Sequence, residues 1–135
     1  MKAELVIIAQ PAVGAEPSVV VPAGETWKIH TMRGFLTASG ASASREVRFI
    51  VNDLLRQNTF VFVPSSVTQV ASEARTYQCL ANGGYRGAGS VNVGVVIGIG
   101  DVIVPGGSEI RFGTTNIDSA DQWGPAFLIV QKFKD

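Results

Sequence analysis

The sequence predicts an all-β chain: a jelly-roll-like antiparallel β-sandwich of eight or nine strands. Three observations carry this expectation. Apolar and polar residues alternate with a period of two in segments such as ETWKIHTMRGF and SEIRFGT, and that period puts one face of a strand in a core and the other in water. Val, Ile, Thr and Phe fill these segments, while fifteen glycines and six prolines punctuate the chain. One phrase is also written twice, as VVVPAGETWKIHT from Val19 and as VIVPGGSEIRFGT from Val102.

The elements follow in order. AELVIIAQ reads as a strand, and PAVGAEPS as an extended connector rich in Pro, Gly and Ala. Residues 1–18 therefore form an N-terminal strand and connector, either an arm that reaches a neighbour or a strand of the chain's own sheet. Residues 19–135 form a single sandwich domain. ETWKIHTMRGFLTAS is a long half-exposed strand, with Trp27, Ile29, Thr31, Arg33 and Phe35 on one face and Lys28 and His30 opposite. GASAS is a turn. REVRFIVN fits a strand, although Val47, Ile50, Val51, Leu54 and Leu55 also trace a helical stripe; β-branched and aromatic residues favour the strand over Arg45–Asn52. Asp53 to Asn58 is a loop or one helical turn.

TFVFVP is a short strand ended by Pro64, and VTQVASEARTYQCL an exposed one. A glycine-rich loop spans Asn82–Asn92. VNVGVVIGIGDVIVP is apolar but broken at Gly94, Gly98 and Gly100. SEIRFGTTNI alternates, DSADQWG is a polar turn, and PAFLIVQKF closes the fold.

In the repeated phrase Val21 matches Val104, Pro22 matches Pro105, Gly24 matches Gly107 and Thr31 matches Thr114. Pro stops the first strand by fixing φ, and Gly lets the backbone reverse at once. Two such corners, one early and one late, suit the pseudo-symmetry of a jelly roll. The repeat is read as architectural rather than as a duplicated ligand site.

Composition narrows the function. Eleven basic residues balance eleven acidic ones, so no long-range field draws nucleic acid or anionic lipid. The first seventeen residues hold Lys2 as their one basic side chain, unlike a genome-packaging arm. LVIIA is shorter than the about 7–15 apolar residues of a signal sequence. No stretch approaches the about 20 needed to span a membrane. Neither nucleic acid nor membrane is an expected partner.

Candidate chemistry is sparse. The VPAG turn with His30 behind it resembles a cupin, but a cupin metal site takes several His and a Glu, and this chain has one His. Gly87, Gly89 and Gly94 lack the strand–loop–helix context and the Lys of a phosphate loop. No GxSxG elbow accompanies the single His. Asp118 and Asp121 sit in a turn, where Asp caps backbone groups. Cys79 in RTYQCL reads as a small apolar strand residue. The sequence thus predicts no catalytic residue, no metal ligand and no cofactor site. Trp123, in the polar segment DSADQWGP, is left open: it either stacks on a sugar or partner, or folds back over the sandwich.

Two long stretches, VPAGETWKIHTMRGFLTASGASASREVRFIV and PGGSEIRFGTTNIDSADQWGPAFLIVQKF, with QVASEARTYQC between them, resemble small structural proteins of tailed bacteriophages. The likeness runs from about Val19 onward and leaves out the first eighteen residues and ANGGYRGAGSVN. It implies a capsid cement or decoration protein: a non-enzymatic jelly-roll module on the outer surface of the head, made in the host bacterial cytoplasm. The expected partners are the major capsid protein and further copies of the chain, as a homotrimer. FLIV and VGVVIGIG, apolar on both faces, agree with self-association. The alternative is a carbohydrate-binding module of a fibre or spike acting through Trp123 and Tyr85; a weaker one is a cupin-like enzyme.

Overall fold

The computed structural model describes residues 2–55, 57–81, 87–88 and 94–134. Among them are twelve strands and no helix. In chain order these are β1 (Ala3–Ile8), β2 (Ser18–Val20), β3 (Glu25–Thr37), β4 (Arg45–Asp53), β5 (Asn58–Gln69) and β6 (Ala74–Leu80). They continue with β7 (Gly87–Ala88), β8 (Val95–Gly98), β9 (Val102–Pro105), β10 (Ser108–Thr114), β11 (Gln122–Trp123) and β12 (Ala126–Lys134). The count exceeds the eight or nine predicted. The apolar run up to Pro105 is cut in two between Gly98 and Val102, where Gly100 adopts φ +68°. Strands β2, β7 and β11 are too short for any sequence period to show.

The strands form two sheets. One has eight strands in the order β1-β12-β3-β6-β8-β7, with β9 and β11 also paired to β3; the other has the order β2-β10-β4-β5. The sheets pack as a sandwich around Ile29, Met32, Leu36, Tyr77, Ile97 and Leu128 of the first and Val47, Phe49, Val51, Ile110 and Phe112 of the second. Pairing is antiparallel except between β6 and β8, which run parallel through Tyr77↔Val95 to Leu80↔Gly98; this corrects the all-antiparallel expectation. The pairs β1/β12, β2/β10, β3/β6 and β4/β5 are nested, each inside the one before.

Two local departures from the sequence reading have physical causes. β5 continues through Pro64 to Gln69 instead of stopping at the proline. It lies at the edge of its sheet, and its pairing with β4 shifts register between Glu46 and Arg48; edges and bulges are where a strand tolerates Pro. In β3 the predicted single face is split. Its pairing with β12 steps from Thr31↔Ile129 to Ile29↔Val130, which makes His30 the extra residue of a bulge. Trp27 and Ile29 therefore face the core before the bulge, and Met32, Gly34 and Leu36 after it. Thr31, Arg33 and Phe35 turn to the outer face. The bulge falls where β3 exchanges one neighbour, β9 (Thr26–Ile29), for another, β6 (Thr31–Thr37).

The repeated phrase builds two corners that interlock. β2 turns into β3, and β9 turns into β10. The first strand of each copy pairs with the second strand of the other: β2 with β10, and β9 with β3. Gly24 and Gly107 hold equivalent left-handed conformations, at φ +82° and +85°. The Val21 N–H donates to Ser108 O at 2.9 Å, and the Gly107 N–H to Val21 O at 2.8 Å. The approach is close enough that a Cβ on Gly106 would lie 2.6 Å from Pro22 O.

The described part of the N-terminal segment, from Ala3 to Glu16, is tied to the sandwich. β1 pairs with β12 from Ala3↔Gln131 to Ile8↔Ala126. In the connector the Gly14 N–H donates to Asp121 O at 2.8 Å, and Arg111 Nη1 donates to Glu16 Oε1 at 2.7 Å.

Candidate interaction surfaces

The residues that sequence reading singled out are dispersed. His30 is the bulge residue of β3, half-buried, and its carbonyl accepts from the Ala81 N–H at 3.0 Å. Among the described residues no group of three or more His, Cys, Asp and Glu is placed to hold a metal ion. Cys79 is buried in the core, and that burial pushes its thiol well above the usual range. Trp123 is fully buried. Its ring stacks on Phe112 with centroids 5.0 Å apart and planes 8° from parallel, and its Nε1 donates to Thr114 Oγ1 at 3.1 Å. The choice left open for Trp123 resolves to packing, and no face of the ring is free for a sugar. Tyr85 lies outside the described residues, as does most of the Asn82–Asn92 loop.

Asp118 and Asp121 belong to a polar network that ties two loops together. Asp121 receives Arg45 Nε at 2.7 Å and Nη2 at 3.0 Å, with both side chains buried. It also accepts from the backbone N–H groups of Ser39 and Asp118. Arg45 donates further to Ala43 O, and Asp118 accepts from Ser39 Oγ. Burial raises the Asp121 pKa, but these donors outweigh it and hold the carboxyl at about 2. All its acceptor positions face the chain's own donors, so the pair is a staple between loops rather than an acid–base couple.

Exposed apolar side chains gather in two places among the described residues. On the outer face of the eight-stranded sheet Leu5 and Ile7 are 61% and 62% exposed, and their cross-strand partners Ile129 and Phe127 are also exposed. Phe35 continues the patch, and Arg33, Thr76 and Gln78 follow it away from β1. A cleft of about 360 Å³ opens here between Arg33, Phe35, Thr76, Pro125 and Phe127. On the outer face of the four-stranded sheet Phe60 and Phe62 stand in water at 46% and 52% exposure, with Val20 across that sheet at 47%. Arg48 lies over the Phe62 ring at 5.1 Å. Leu55, in the β4–β5 turn, is 86% exposed. Isolated exposed apolar side chains are ordinary, and these two groups, on opposite faces of the sandwich, are the candidate surfaces for contact with a partner.

No family model and no curated protein matches this chain. Among solved structures it is similar to "Structure of PfGH50B", at TM-score 0.38 and 11% identity over 99% of this chain and 22% of that one. It is also similar to the Clostridium thermocellum xylanase 10B CBM22-1-GH10 modules complexed with xylohexaose, at TM-score 0.32 and 12% identity over 98% of this chain and 22% of that one. A third is infectious bursal disease virus Gt strain, at TM-score 0.35 and 8% identity over 96% and 33%. The chain thus spans between about a fifth and a third of the length of these proteins. Similarity at this level carries no conclusion about activity or ligand.

Proposed function

We propose that this protein is a non-enzymatic structural module, a cement or decoration protein on the outer capsid surface of a tailed-phage head. The supporting observation is the pair of exposed apolar groups on opposite faces of one sandwich. A protein that bridges capsomers needs at least two separate contact surfaces, and each can be modest because many symmetric copies add by avidity. In this reading Phe60, Phe62 and Leu55 meet the major capsid protein, and the outer face of the eight-stranded sheet meets further copies of the chain. The finer fold assignment belongs to the same proposal. The nested pairs β1/β12, β2/β10, β3/β6 and β4/β5 are those of a long hairpin wrapped into a jelly roll. The resemblance of the corner and closing segments to phage structural proteins agrees with it.

The test is cosedimentation of purified protein with heads assembled without it, followed by heating of the heads. Binding at saturable stoichiometry and a raised disruption temperature are expected, and Phe62→Asp should weaken both. Absence of binding together with unchanged head resistance would sink the proposal. Selective binding on a glycan array in that case would favour the carbohydrate-binding alternative.

A further inference from the structure

We propose that β1 is a docking edge for β1 of a second copy, so that two eight-stranded sheets join across a two-fold axis. The inference does not depend on the head-binding reading.

Sheet edges expose unpaired N–H and C=O groups, and proteins normally blunt them. The other edge segments here are blunted. β2, β7, β9 and β11 are two to four residues long, and β5 carries Pro64 and two register shifts. β1 is different. It has six residues, contains no proline, and keeps unbroken register with β12 on one side, while among the described residues nothing pairs with its other side. Its single charged side chain, Glu4, is neutralised by Lys132 Nζ at 3.1 Å.

The adjoining surface supports the same partner. The outer face is most apolar beside this edge, at Leu5, Ile7, Phe127 and Ile129, and turns polar toward Arg33 and Gln78. A two-fold contact between edges sets the outer faces of the two copies side by side, so that the apolar rows at Leu5 and Ile7 adjoin each other across the seam. Side-chain alternation fixes the register to one that pairs like faces. With Leu5 opposite Leu5 of the second copy, Ala3 faces Ile7, Glu4 faces Val6 and Lys2 faces Ile8. No like charges meet. The strand contact supplies main-chain hydrogen bonds, and the apolar rows of both copies merge.

The contact is small beside the roughly 800 Å² per partner of a standard interface. The expected dimer therefore dissociates on dilution, with a dissociation constant on the order of 10 μM. It is a dimer, where the sequence predicts a trimer.

Sedimentation equilibrium of the full chain between about 1 and 200 μM, a range set around that constant, tests this. Wild type should pass from monomer to dimer. Leu5→Glu and Leu5→Lys should each stay monomeric with an unchanged circular dichroism spectrum, because like charges then meet at the axis. An equimolar mixture of the two should dimerise again, since opposite charges now face each other. The Ile7→Glu and Ile7→Lys pair repeats the experiment one row away, where Ile7 faces Ala3 and each variant should lose affinity by about tenfold or more. A wild-type monomer throughout, a trimer, or a dimer indifferent to both substitutions would overturn the proposal. Failure of the mixed Leu5 variants to associate would also overturn it.

Discussion

Arg45 grips Asp121 with two hydrogen bonds, Nε to Oδ2 at 2.7 Å and Nη2 to Oδ1 at 3.0 Å, in a place that solvent does not reach. The residues come from opposite ends of a polar turn system. Arg45 opens β4, and Asp121 precedes the short strand that carries Trp123. Their bond ties the segment around Ser39–Ala43 to the turn that leads into Trp123.

Removing one partner of such a pair leaves a buried charge without compensation. Asp121→Asn keeps the shape but strands the guanidinium, and should lower the unfolding free energy by about 3–5 kcal/mol. Urea denaturation followed by tryptophan fluorescence reads the loss directly. A change below about 1 kcal/mol, the value of an exposed pair, would mean that water reaches the site.

The same pair predicts an acid limb in stability. The Asp121 carboxyl is held at about 2 against an ordinary 3.8. A depressed carboxyl contributes stability above its unfolded value and loses it as pH falls through its folded one. About 2 kcal/mol should therefore vanish between about pH 4 and pH 2. Glu73 adds to this limb, because its carboxylate accepts the Val70 N–H at 2.8 Å and is held below its ordinary range. Asp121→Asn should flatten the limb without abolishing it. Unfolding midpoints collected from pH 2 to pH 7 decide the matter.

Cys79 should be chemically silent in the native protein. Its thiol is enclosed by the core, and burial disfavours the thiolate. Labelling by an alkylating reagent should run at least about 1,000-fold slower than in denaturant, because the thiol is reached only through global opening. Fast labelling under native conditions would show that β6 opens locally.

The corner glycines allow a clean separation of backbone from packing effects. A Cβ on Gly24 would meet nothing within 4 Å, and one on Gly107 only the Leu55 side chain at 3.7 Å. Each Gly→Ala change should thus cost only the left-handed strain, about 1–2 kcal/mol. Gly106→Ala should cost more, since its Cβ would collide with the Pro22 carbonyl. Denaturation of the three variants should rank them in that way.

Most strand segments were readable because alternation and turn residues are local signals, but VTQVASEARTYQCL, read as one mostly exposed strand, is broken at Val70–Glu73 and buries Tyr77 and Cys79. The interlocked corners were readable as a repeat, since Pro22 and Gly24 recur as Pro105 and Gly107. Alternation failed in β3, where Thr31, Arg33 and Phe35 look continuous with Trp27 and Ile29. The His30 bulge shifts the phase, and a bulge depends on the neighbouring strands rather than on the residue. Trp123 could not be placed from DSADQWG because its partner, Phe112, lies in another sheet. The exposed surfaces were half legible. FLIV, apolar on both faces, does leave Phe127 and Ile129 outside, whereas in VGVVIGIG the residues Val95 and Ile97 go to the core. Which strand ends a sheet is a property of strand order, so the open edge at β1 has no signature in the sequence.

β12 is threaded between β1 and β3. A ribosome that has delivered the chain only as far as Trp123 therefore holds a polypeptide in which, among the described residues, β1 has no neighbour and β3 lacks most of one flank. The β2–β3 corner likewise waits for β9 and β10 to be synthesised. No early segment can close a sandwich on its own, and the contacts that complete the fold join residues from distant parts of the chain. Folding should consequently be slow for a domain of this size and begin in earnest only after the last strand has emerged. Until then the nascent protein displays unpaired apolar strands, the condition in which aggregation competes with folding.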